Sequence, residues 1–337
     1  MLDISTLQAG DDIHHPFLVL DVVQKGGDHP RTVLVLGNRT GRIDTAPFWA
    51  GSDEQIRGVT KGMIVQVVGA VTTYRDARQL AATSVRPLPR GSIPLSDLAP
   101  SVGPVDQYWH FLDDLRGKLR APRLRAVVDL FYADDEFRSR YQECPGAPGT
   151  GHHAAIGGLL QHTCEVVSIG KQMARVARAD AELVTVGAML HDIGKLESYS
   201  WETGVFETTE AGRMIGHIIL GHGMLRDRIA EAETAPCTDD EQMLLEHMIL
   251  SHHGHLEYGS PVRPLTLEAE ILHFADDASA KTASITEAYA STELFPGEAR
   301  TSTRKVWQLD NRWLMRMAPD FGRDAAGDNE EAADQQS

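Results

Sequence analysis

Five places in the sequence hold residues able to act together on one substrate. They are His162 in GGLLQHT, His191-Asp192 in MLHDIGK, His217 in MIGHIIL, His252-His253 in ILSHHGH, and Asp276 in HFADDASAK. Each lies on, or at the end of, a segment whose apolar residues recur at helical spacing. A carboxylate and an imidazole at the end of an apolar run such as LVTVGAML are costly to bury unless each finds a partner. Of the 15 histidines, eleven fall between His152 and His273, and such clustering asks for a metal or a catalytic network. Imidazole and carboxylate donors without thiolate suit Mn, Fe, Co or Zn in a hydrolytic site. Cys144, Cys164 and Cys237 lie far apart with no CxxC pair, so they read as free thiols.

Other elements must hold these residues in place. From Phe17 to Leu88 short β-branched runs (FLVLDVV, TVLVLGN, GRIDTAPFW, MIVQVVGAVTTY, QLAATSVRPL) alternate with Gly, Asn and Asp, the pattern of a small all-β barrel, with the OB-fold as its natural candidate. After the Pro-rich connector RPLPRGSIPLSDLAPSVGP the period becomes helical. VDQYWHFLDDLRGKLR and PRLRAVVDLFYADDEFRSRY read as two helices, the second opened by Pro122. Helices follow over GGLLQHTCEVVSIGKQMARVA, AELVTVGAMLHDIGK, TEAGRMIGHIILGHGMLRDRIAE, TDDEQMLLEHMILSH, TLEAEILHFADDASAKTASITEAY and RKVWQLDNRWLMRM, with a short hairpin around Thr203-Gly204. The expected organisation is a barrel over residues 1–90, a connector with linking helices over 91–150, an all-α bundle over 151–318 and an acidic tail over 319–337. That tail carries six acids against one Arg and reads as disordered.

The ordered succession H, HD, H, HH and D resembles the HD-domain metal-dependent phosphohydrolases over about Gly151 to Ala290. The resemblance implies that Asp192 bridges two metal ions. His162, His191 and Asp276 would complete one, and His217, His252 and His253 the other. Asp277 would point about 100° away from Asp276 on a helix, and the family register after ILH favours Asp276. Two ions so held lie roughly 3.5 to 4 Å apart and make a nucleophilic side chain unnecessary. Lys195 shares the face of His191 and Asp192 if the helix continues through Gly194, and its ammonium would neutralise a phosphate oxygen as charge builds. His152 and His153, before Gly157-Gly158, and Arg263 in GSPVRP are candidates to meet the substrate. His222 and His247, some 140° around their helices from His217 and His252, are read as hydrogen-bonding behind the ligands.

The N-terminal segment narrows the substrate. The formal charge of −16 argues against a polyanion binder, yet residues 13 to 90 hold ten Lys and Arg against six acids. A basic barrel with Phe17, Phe48, Trp49 and Tyr74 suits single-stranded nucleic acid, whose bases stack while cations follow the backbone. Taken singly, each aromatic is better read as core.

An OB-fold joined to an HD domain, with ILSHHGHLEYGSPVRPLTLEAEILHFADD and LDNRWL, resembles the YhaM-type 3′-to-5′ exoribonucleases. This implies Mn²⁺-dependent removal of nucleotides from single-stranded RNA, with DNA as a second substrate and Co²⁺, Fe²⁺ or Zn²⁺ as other metals. The chain departs from the family at Ser279, where a second acid is usual. Two rival readings are a phosphohydrolase of small or cyclic nucleotides, which lacks support in the missing DGxGYP motif, and a non-catalytic single-strand-binding regulator. No apolar run approaches the roughly 20 residues of a membrane-spanning helix, and MLDISTLQAGDD has no leader pattern, so a cytoplasmic protein is expected.

Overall fold

A computed structural model describes all residues except 1, 27–29, 50–52, 76, 150, 320 and 322–337. The expectation of a disordered acidic tail therefore falls mostly outside the described residues.

Strand β1 (Asp12–Lys25) alternates, turning Ile13, Phe17 and Val19 into an apolar core and Leu18 outward. An irregularity between Val19 and Asp21 lets this one strand pair with both β2 (Arg31–Asn38) and β5 (Ile64–Tyr74). Strand β3 (Gly41–Thr45) pairs with β2 and runs parallel to β6 (Ala77–Leu88), which pairs with β5, so five strands close into an OB-like barrel. GRIDTAPFW is two strands rather than one. The break falls at Ala46-Pro47, and β4 (Phe48–Trp49) resumes against β2.

The outward Leu18 and Ile64 do not face water. They pack with Leu98 of α1 (Leu95–Leu98) and with Val205 of the hairpin β7 (Tyr199–Ser200) and β8 (Glu207–Thr208). Gly204, at φ 80, turns that hairpin beneath Leu18 and Leu95. Lys61 Nζ meets Glu207 Oε1 at 2.7 Å, and Arg90 donates to the carbonyl of Glu202, fastening barrel to hairpin.

The helices are α2 (Asp106–Lys118), α3 (Pro122–Tyr132), α4 (Asp135–Tyr141), α5 (Gly158–Ala177), α6 (Ala181–Leu190), α7 (Lys195–Ser198), α8 (Glu210–Met214), α9 (His217–Glu231), α10 (Asp239–Ser251) and α11 (Leu267–Ala290). Three expected single helices are each broken in two. Asp134 caps α4 with its side chain and so ends the run begun at Pro122. Gly216, at φ 84, separates α8 from α9. The chain leaves helical pairing after Leu190 and restarts at Lys195. Trp109, Tyr132, Phe137 and Tyr141 pack edge to face, tilted or stacked within the helical core.

Two compact units divide the chain, Met1–Ala280 and Lys281–Ser337. In the second, RKVWQLDNRWLMRM is not the expected helix. Asp310 and Asn311 both take φ near 55, which these residues tolerate, and fold Val306 back antiparallel onto Arg312. Val306, Leu309 and Leu314 are thereby buried with Phe295 and Ala288. No helix among the described residues is long and apolar enough to cross a membrane.

Candidate metal centre

Most of the candidate ligands stand at helix ends. His191 and His252 follow the last turns of α6 and α10, and His217 opens α9, while His162 and Asp276 lie within α5 and α11. The side chains converge on Asp192. Its Oδ2 lies 3.2 Å from His191 Nε2 and 3.5 Å from His162 Nε2, and Asp276 Oδ1 is 3.0 Å from His162 Nε2. Its Oδ1 faces the other way, 3.4 Å from His217 Nε2 and 3.7 Å from His252 Nε2. His162, His191 and Asp276 thus form one group able to hold a metal ion, and His217, His252 and His253 a second, on opposite oxygens of one carboxylate.

The second group passes a test of fit. Asp192 Oδ1, His217 Nε2 and His252 Nε2 are buried and have no hydrogen-bond partner among the described residues. Three buried acceptors left without donors are expensive unless a cation satisfies them. Burial lowers the His217 imidazole to about 3, and burial with the neighbouring imidazoles carries His252 well down, so both are neutral lone-pair donors at neutral pH. Burial opposes the ionisation of Asp192. The Lys195 ammonium and the His191 ring beside it outweigh that cost and hold the carboxyl well below its usual range.

Hydrogen bonds aim the rings. His191, His252 and His253 each place Nδ1 2.7 Å from a backbone carbonyl, of Ala188, Ile249 and Tyr258. A carbonyl only accepts, so Nδ1 carries the proton and Nε2 turns its lone pair inward.

Lys195 departs from the expected arrangement. It begins α7 rather than continuing α6, it is 5% exposed, and its Nζ lies 2.6 Å from Asp192 Oδ2. Gly194 explains how the two groups come together. A Cβ there would strike the His217 carbonyl and Gly221, so α9 approaches this closely only over glycine. Gly194→Ala is expected to cost about 1–3 kcal/mol by overpacking and, by shifting His217, to lower turnover about 100-fold. Thermal melts and rates measured with added divalent metal check both.

His153 is buried and His152 half-buried beside His162, their ring centroids 5.1 and 5.5 Å from its own. Arg263 is exposed on the loop after the tandem histidines. His222 and His247 do not stand behind ligands as expected. His222 pairs with Glu246, and His247 Nε2 accepts from the Leu265 amide. His273 Nδ1 lies 3.1 Å from the backbone carbonyl of His252. The sequence reading also missed Glu165, one turn after His162 on α5, which reaches His162 through Ser279. Its i, i+3 spacing from His162 was the available signal.

On the barrel, Phe17 and Phe48 belong to the core, whereas Trp49 and Tyr74 are 47% and 59% exposed. These two line one pocket of about 380 Å³ with Arg31, Pro47, Arg78 and Gln79. The Arg31 guanidinium lies 5.4 Å from the Trp49 ring centre. Arg78 is already engaged by the carbonyls of Ile4, Ser5 and Leu7, so not every barrel cation is open to a ligand.

Among known proteins, the HD domain family matches residues 159–281. A protein of Shouchella clausii (strain KSM-K16) named 3′-5′ exoribonuclease YhaM is 32% identical over 293 residues, covering 84% of this chain and 86% of the relative. Proteins of the same name from Bacillus subtilis (strain 168) and Bacillus velezensis (strain DSM 23117 / BGSC 10A6 / LMG 26770 / FZB42) are 29% and 27% identical. They cover 84% and 90% of this chain, and 87% and 95% of their own lengths. There is no significant match among solved structures.

Proposed function

The chain belongs to the YhaM family of 3′-5′ exoribonucleases, and from that premise we propose that it is a hydrolase removing nucleotides from the 3′ end of single-stranded RNA at a centre of two divalent ions. The observation that carries the reading is Asp192, whose two oxygens face two separate ligand groups, the second with two buried nitrogens that are unsatisfied together with Asp192 Oδ1. In this reading His162, His191 and Asp276 hold one ion, His217, His252 and His253 the other, and Asp192 joins them. Manganese fits the donor set. When bound, the ions supply Lewis acidity and an activated water.

The chain's own residues do the rest. Burial keeps bulk water from the ligands, and Lys195 keeps Asp192 ionised and supplies positive charge for a phosphate oxygen. His153 and Arg263 are assigned to substrate contact. A cleft of about 450 Å³, lined among others by Asn38, Arg42, Lys61 and Ala154, runs between the barrel and the loop that carries His152 and His153, and is the proposed path of the strand.

Trp49 and Tyr74 are proposed to stack bases. Stacking does not read the sugar, so single-stranded DNA is a second substrate of the same reading. Trp49→Ala and Tyr74→Ala are each expected to raise KM by roughly 5- to 150-fold, from about 1–3 kcal/mol per stacked base, with kcat unchanged. An unchanged KM in both would remove the barrel from the substrate path. The domain assignment that goes with this function is a barrel over residues 1–90, a connector over 91–150, a catalytic bundle over 151–318 and a tail over 319–337. With RNA as substrate, the proposed site of action is the cytoplasm.

The test is a time course on 5′-labelled and 3′-labelled strands with Mn²⁺ or EDTA. A ladder that shortens only from the 3′ end and stops in EDTA is the expected result. Release of labelled 5′ nucleotide first, or full activity in EDTA, would overturn it.

A further inference from the structure

His162 is aimed differently from the ligands anchored on backbone carbonyls. Its Nδ1 lies 3.0 Å from Ser279 Oγ, and Ser279 Oγ lies 2.7 Å from Glu165 Oε2. A carboxylate only accepts, so Ser279 donates to Glu165 and accepts from His162 Nδ1–H. The imidazole is thereby left with its Nε2 lone pair toward Asp276 and Asp192. The same Glu165 oxygen meets His153 Nε2 at 3.0 Å, and Glu165 Oε1 accepts from Gln161 Nε2 at 3.0 Å.

The far end of this chain of bonds is built with equal care. His153 has φ 54, a left-handed conformation that costs a side-chain-bearing residue of order 1–3 kcal/mol and persists only where its surroundings impose it. Here Gly146 donates its amide to the His153 carbonyl at 2.9 Å. A Cβ at Gly158 would strike that carbonyl, and one at Gly146 would lie 2.6 Å from the His153 Cβ. Two glycines thus make room for a strained histidine whose ring ends on Glu165.

We propose that Glu165 is a positioning residue. Through Ser279 it fixes the tautomer and direction of the His162 ring, and through His153 it ties the loop bearing His152 and His153 to the same centre. One carboxylate therefore sets a ligand and the substrate-facing loop in register. The inference rests on the metal-centre reading above, and the tests keep the two apart.

Mn²⁺ alone is titrated into the full chain by calorimetry, with thermal melts confirming that each variant is folded. Ser279→Ala, which only shortens a buried side chain, is expected to weaken one binding event by roughly 10- to 100-fold and leave the other unchanged. Glu165→Gln is expected to weaken the same event and also to raise KM for RNA, because His153 loses its carboxylate. Adding Ser279→Asp to Glu165→Gln places a carboxylate directly at His162 Nδ1, and is expected to restore Mn²⁺ affinity without restoring KM. A general loss of structure would lower both and be rescued in neither. Unchanged Mn²⁺ affinity in Ser279→Ala, alongside binding that Asp192→Asn abolishes, overturns the role of Glu165. Mn²⁺ binding that survives Asp192→Asn overturns the metal-centre reading instead.

Discussion

Asp192→Asn is expected to lower kcat by roughly 10³-fold or more at saturating Mn²⁺, above the 10- to 100-fold typical of partners behind a metal ligand. The magnitude follows from position. Asp192 Oδ2 faces His162 and His191 while Oδ1 faces His217 and His252, so one substitution removes a donor from both groups. An amide keeps the shape but offers one oxygen where two are needed. Stability without metal should fall as well, because Lys195 Nζ is left buried without its counter-charge at a cost of about 3–5 kcal/mol. The clearest signature is the response of the melt to Mn²⁺. In the unaltered chain, ion at 100 times its Kd adds about 2.7 kcal/mol, whereas the variant should gain nearly nothing. Near-normal nuclease activity in the variant would sink the two-group reading.

How much of this was legible in the sequence depended on how local the cause was. The barrel could be read because alternation along FLVLDVV or MIVQVVGAV is a property of each strand alone, and Phe17, Val65 and Val67 are buried as that alternation demands. The candidate ligands could be found because their order survives any detail of packing. Helix continuity was misread where a long-range contact decides it. Nothing in AELVTVGAMLHDIGK announces that Gly194 must lie under Gly221, and that contact sits where α6 stops and α7 begins. RKVWQLDNRWLMRM carries a helical pattern of apolar residues, yet two residues near φ 55 turn it back on itself. Glu165 shares a helix face with His162, but its link to that ring was hidden for a similar reason. Its partner Ser279 lies 114 residues away, and only the fold brings them within 2.7 Å.

Lys195→Met should separate two roles that the static geometry combines. With its Nζ 2.6 Å from Asp192 Oδ2 and its side chain buried, Lys195 occupies the place of a counter-cation to the Asp192 carboxylate. Removing it leaves Asp192 with the adjacent His191 ring as its remaining partner, because burial keeps His217 and His252 neutral, and the metal-free variant is expected to lose about 3–5 kcal/mol. Bound Mn²⁺ supplies the missing charge, and saturating Mn²⁺ should return most of that stability. Turnover should behave otherwise. If the ammonium also neutralises a phosphate oxygen in the transition state, its loss costs roughly 10²–10³ in kcat even when both ions are bound, with a smaller change in KM. The expected pattern is therefore a melt that Mn²⁺ restores and a kcat that it does not. A kcat restored together with the melt would reduce Lys195 to a stand-in for the cation, and leave the developing charge on phosphorus to the ions alone.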